Sequence, residues 1–189
     1  MDNDVNKKLE ELAYKQRVSV NVLASQAIRR YVEWDSIAKN FSLQVASTRL
    51  LERLMEDVTV DKASELGRWW ADNIAKEISS YWFQNESFRT FNKTLEMLNS
   101  YGRSFEVERT HGTDREMLIL NHGLGEKWSL FYQEALKTWL ERMDSNEVKS
   151  FKVDHTENQV FTEIRTPQAG LGPATDGRLG LVGPSFRGS

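Results

Sequence analysis

The apolar residues change their period part-way along the chain, and that change limits what the chain can fold into. From Leu9 to about Gly102 they recur at steps of three and four, the helical period. From Phe105 to Leu120, and again in "EVKSFKVDHTENQVFTEI", they alternate as strands do. The helical half carries five stripes. Leu9, Leu12 and Ala13 mark one, and Leu23, Ala27, Ile28, Tyr31 and Val32 a second behind the N-cap Ser19. Leu43, Ala46, Leu50 and Leu54 predict a helix over 41–58. Ala63, Leu66, Trp70, Ile74 and Ile78 follow an N-cap at Asp61, and Phe88, Phe91, Leu95 and Leu98 end near Gly102. Adjacent helical residues point about 100° apart, so only one of Trp69 and Trp70 can be central to a core. The alternating segments turn at Gly112-Thr113-Asp114 and at 155–158, on either side of a helix bearing Trp128, Phe131, Ala135, Trp139 and Met143. The expected class is α+β, with a helical front and an antiparallel β-β-α-β-β unit covered on one face by helices.

Composition removes several functions. The 189 residues include no Cys, which excludes disulfides, thiolate nucleophiles and Cys-ligated metal centres. No apolar run approaches the length that spans a bilayer, and the acidic first residues lack a signal-peptide plan, so a cytoplasmic protein without membrane contact is expected. All three prolines and six of the eleven glycines fall in 166–189, which predicts a mobile tail. The expected divisions are a module at 1–40, a helical connector at 41–58, an α+β domain at 59–165 and the tail at 166–189. Residues 41–165 carry 16 basic against 21 acidic side chains, a poor surface for gripping phosphate.

Neither front helix has enough apolar surface to fold alone, and a second copy would bury Leu12, Leu23, Ile28 and Tyr31. The stretch "LEELAYKQRVSVNVLASQAIRRYVEW", residues 9–34, resembles the ribbon-helix-helix family of dimeric DNA-binding proteins. The resemblance implies a dimer core of Leu9, Leu12, Leu23, Ala27, Ile28 and Tyr31. It also implies a phosphate anchor at the amino end of the second helix, at Ser19, Val20 and Asn21 with Lys15 and Arg17 beside them. In that family a strand before the first helix reads the bases. Here five residues precede Asn6, and Asp2 and Asp4 carry the wrong sign for phosphate. Either the strand lies upstream of Met1 or base readout has been lost. The remainder is loosely similar to carboxy-terminal domains of archaeal ribbon-helix-helix proteins, a likeness that brings no activity with it.

"HGLGEKWS", residues 122–129, ends a strand, passes two glycines and starts a helix, so Gly123, Gly125 and Lys127 form a candidate ligand loop. Neither the GxxxxGK[ST] nor the GxGxxG spacing is present. His111 and His122 would stand on the order of 20 Å apart along a hairpin, too far to share an ion, and His155 sits in another turn, so no metal is expected. Without a Gly-x-Ser-x-Gly elbow, a His-Glu-x-x-His pair or facing carboxylates, neither an enzyme nor a cofactor is expected. The function these features point to is a dimeric DNA-binding transcriptional regulator with a C-terminal sensing or dimerisation domain. Its partners would be itself and DNA. The alternative is a protein-interaction or antitoxin-like module that has lost DNA readout and binds a protein partner.

Overall fold

Helix α1 (Asn3–Gln16) stops at Arg17, whose φ of 56° is left-handed, and Val18 N–H closes the end onto the Ala13 carbonyl at 3.0 Å. Helix α2 starts as Val20–Arg30 behind Ser19, whose hydroxyl accepts the Val22 N–H at 3.2 Å as the sequence predicts. It then widens into a π turn at Tyr31–Asp35 and continues to residue 41. The computed structural model describes residues 3–41, 43 and 46–167, without the side chain of residue 37. Most of the proposed tail, from residue 168 onward, lies outside the described residues.

The helix expected over 41–58 is shorter. Phe41 closes α2, and Ser47 caps α3 (Thr48–Glu56) by accepting the Leu50 N–H at 3.2 Å. The predicted stripe is also rotated: Met55 is buried and Leu51 half-buried, whereas Leu50 and Leu54 are exposed. Helix α4 comprises Val60–Trp70, a π turn at Ala71–Ala75, and Lys76–Phe83. Its N-cap is Thr59, which accepts the Lys62 N–H; Asp61 instead lies in the first turn, where a carboxylate favours the helix dipole. Helix α5 runs through Phe88–Met97 and a third π turn, Leu98–Gly102, behind a Ser87–Thr90 capping box.

Strands β1 (Glu106–His111) and β2 (Arg115–Asn121), helix α6 (Glu126–Glu141), and strands β3 (Ser150–His155) and β4 (Gln159–Arg165) complete the described chain. The sheet is antiparallel in the order β1-β2-β4-β3, so the two hairpins meet through β2 and β4. Leu118 pairs with Thr162 and Leu120 with Val160, and all four are buried on the helix-covered face. Above them Trp139 of α6 meets Phe91 of α5 edge-on at 4.9 Å. Full burial of such a side chain contributes roughly 1.5–3 kcal/mol. Arg109 binds Glu116 at 3.1 Å and Asn92 at 2.6 Å, tying the sheet to α5. α4 crosses α6 at Gly67, where a Cβ would stand 2.2 Å from the Phe131 carbonyl oxygen, so only glycine permits the approach. Of the paired tryptophans, Trp70 turns inward and Trp69 is exposed.

The front is bound to this body through the second half of α2. Trp34 packs against Trp82 at 5.6 Å and Tyr101 at 5.9 Å, and Asn40 donates to the Tyr81 hydroxyl at 2.7 Å. The part before it is an arm of α1 and residues 20–31 of α2. Ala13 is its one buried residue among those described. No helix among the described residues is long and apolar enough to cross a membrane.

Candidate functional site

All three π turns among the described residues border one cavity of about 410 Å³. The first contributes Trp34, the second Ile74, and the third Leu98, Tyr101 and Gly102. Helix α6 supplies Trp128, Phe131 and Tyr132 from the opposite side. A π turn admits one extra residue to a helix and recurs at functional sites. Three of them around one space, with aromatic and aliphatic walls, give the arrangement expected of a small-molecule pocket. The polar groups at its edge are few. Tyr101 donates to Glu33 at 2.5 Å, and burial together with that carboxylate pushes its phenol up to about 12. Burial likewise raises the Tyr132 phenol.

His122 stands where the cavity meets a second, more open depression of about 890 Å³. It sits 2.8 Å from Ser129 Oγ, a spacing that resembles a nucleophile and its base. The wiring runs the other way. Leu124 N–H donates to His122 Nδ1 at 3.1 Å, so the neutral ring carries its proton on Nε2 and donates it to Ser129. The Ser129 hydroxyl in turn donates to the Glu157 carbonyl at 2.9 Å. Ser129 is fully buried, and burial lowers His122 from its ordinary 6.5 to about 4, which keeps the ring neutral. The pair fastens the start of α6 to the β3–β4 turn.

The candidate ligand loop has the backbone the sequence predicts, with φ of 64° at Gly123 and 86° at Gly125. Two of its residues have their polar groups engaged inside the protein. Gly125 N–H donates to Asn158 Oδ1 at 3.0 Å, and Lys127 Nζ donates to the carbonyls of Met55 and Glu56 at 3.3 and 2.7 Å. Lys127 thus caps α3. The residues flanking the glycines, His122, Leu124 and Trp128, reach the cavity instead. Its far wall, from Trp34, Tyr101 and Arg103, carries no local motif.

In the arm, Leu12, Ile28 and Tyr31 of the predicted dimer core are 46%, 65% and 64% exposed, Ala27 is also exposed, and Leu9 and Leu23 are half-buried. Lys15, Arg17, Ser19 and Asn21 are exposed around the junction of α1 and α2, with Val20 half-buried. Among the described residues no three His, Cys, Asp or Glu side chains converge as a metal site would need. Against family models, curated proteins and solved structures, the chain has no match.

Proposed function

We propose that the chain is a homodimeric, DNA-associated regulator: its arm pairs with that of a second copy, and its body senses a small molecule in the cavity. The observation that carries this reading is the arm's uncovered apolar surface at Leu12, Ile28 and Tyr31, on helices too short to be stable without packing. The DNA contact draws its support from the start of α2. Ser19 takes the Val22 amide, which leaves the amides of Val20 and Asn21 to a phosphate at the positive end of the helix. With Lys15 and Arg17 as the nearby cations, few phosphates are neutralised, so binding should be weak with a shallow salt slope. Sedimentation at low micromolar concentration should give a dimer. Titration of labelled duplex at several salt concentrations should give weak binding that Asn21→Asp reduces further. A folded monomer that leaves DNA untouched would overturn the proposal.

A second reading, an interaction module that dimerises without reading DNA, is favoured by the acidic balance of residues 41–165, whose 21 acidic against 16 basic side chains suit phosphate poorly. A dimer that fails to bind duplex at any salt concentration would select it.

A further inference from the structure

We propose that the cavity and the depression beside it form one binding site for a small amphipathic carboxylate, with its apolar body among the aromatic rings and its head at Arg103. This deepens the sensing half of the reading above and requires neither the dimer nor DNA. By the volume of liquid water, 410 Å³ corresponds to about 14 molecules, which suits an organic ligand of about as many heavy atoms. The chamber's walls are mainly apolar and its polar groups are mostly taken. Trp34, Trp70, Trp128 and Phe131 line it, His122 is neutral with both ring nitrogens engaged, Tyr101 is held by Glu33, and Arg30, which also borders it, is paired with Asp35 at 3.4 Å. Arg103, Ser104, Phe105 and His122 line both spaces, so an apolar body in the chamber brings its head to the polar side.

That side offers mainly donors. The amide oxygens of Asn99, Asn121 and Asn158 already accept from Val107 N–H, Gln159 Nε2 and Gly125 N–H. The amide nitrogens of Asn99 and Asn158 have no protein acceptor among the described residues, and the Arg103 guanidinium has no ion-pair partner there. A head group made of acceptors, with negative charge facing Arg103, complements this set. Two carboxylates, Glu106 and Glu157, also line the depression. All three charged groups are exposed and screened alike, but the carboxylates line the depression alone whereas Arg103 lines both spaces, so a head at the chamber's edge meets the guanidinium first.

The test uses the full chain with three ten-carbon probes below their micelle concentrations: decanoate, decanol and decyltrimethylammonium. Tryptophan fluorescence and melting temperature are the readouts. Decanoate should shift both at about tenfold lower concentration than decanol, and the cation should be inert. Arg103→Gln, a change at an exposed residue, should bring decanoate down to the level of decanol. Ile74→Trp should fill the chamber and remove both responses. If that variant does not fold, Trp128→Phe serves instead, and should lose the Trp128 share of the fluorescence response, leaving that of Trp34 and Trp70, while keeping the melting shift; an unreduced fluorescence response would overturn the proposal. Equal responses to all three probes, an Arg103→Gln protein indistinguishable from the parent, or responses that survive a filled chamber would each overturn the proposal. Because no DNA is present and oligomeric state is not read, failure here leaves the dimer and DNA reading to its own experiment.

Discussion

The arm and the body are written in the same apolar spacing and meet opposite fates. In α4, Ala63 and Ile78 are buried at the spacing their stripe predicts, and in α6 Ala135 and Trp139 are buried too. In the arm, Leu12, Ile28 and Tyr31 hold an equally regular pattern and stay in solvent. A stripe therefore specifies an apolar face without specifying what packs on it. In the body the cover is a sheet and neighbouring helices of the same chain, whereas in the arm the described residues of the chain leave that face exposed.

The comparison is broken most directly by charging the arm. Ile28→Glu combined with Tyr31→Glu should dissociate a dimer at least about 100-fold, since each buried apolar side chain contributes roughly 1.5–3 kcal/mol and symmetry counts each one twice. Sedimentation reads the mass, and near-UV circular dichroism should report an unchanged body. If the dimer persists, the arm is not its interface. The reverse probe is Gly67→Ala. Its Cβ would collide with the Phe131 backbone. Overpacking of this kind costs about 1–3 kcal/mol, and about 2–4 °C of melting temperature accompanies each kcal/mol in a protein this size. Dimer mass should hold while the melting temperature falls; an unchanged melt would mean that α4 and α6 lie farther apart than described.

The smallest effect concerns pH. The folded His122 binds its proton at about 4 and the unfolded one at 6.5, so the unfolded chain takes up a proton first as pH falls. The stability held above 6.5 is therefore lost between 6.5 and 4. Since the ring is only half-buried, solvent discounts the shift to about 1–2 kcal/mol. Melts from pH 7 to 4.5 should fall several degrees less for His122→Gln than for the parent, and parallel curves would remove His122 from the account. The loss belongs to the body, so dimer mass should follow pH no differently in the variant.

How much of this was legible in the sequence depends on how locally each feature is encoded. Both hairpins, the Ser19 cap and the inward face of α4 follow from spacing or turn chemistry within a few residues. The break between Phe41 and Thr48 was missed because Leu43, Ala46, Leu50 and Leu54 keep a helical step across Ser47, and a stripe carries no mark of interruption. The glycines at 123 and 125 gave the loop its shape, but the partners that occupy Lys127 come from Met55 and Glu56, far away in sequence. The cavity was the least legible part. It draws Trp34, Tyr101 and Trp128 from separate elements, and only the neighbourhood of His122 and Trp128 hinted at it.

One of the wide turns did leave a trace in the spacing. Leu66, Trp70, Ile74 and Ile78 follow one another at three successive steps of four. In a regular helix each such step overshoots a full turn by about 40°, so the row would wander about 120° around the axis. The π turn at Ala71–Ala75 unwinds part of that drift and keeps Trp70, Ile74 and Ile78 on the cavity side. The wide turn is thus one extra residue held inside a helix whose flanks keep their phase. Deleting one residue within Ala71–Ala75 would restore an ordinary pitch and leave Lys76–Phe83 in nearly the same phase relative to Val60–Trp70, because four residues of regular helix turn about 400°, roughly what five of the wide turn cover. The wall would narrow at Ile74 while the flanking segments kept their faces, so the chamber's shape could be reset by a change of chain length without any substitution.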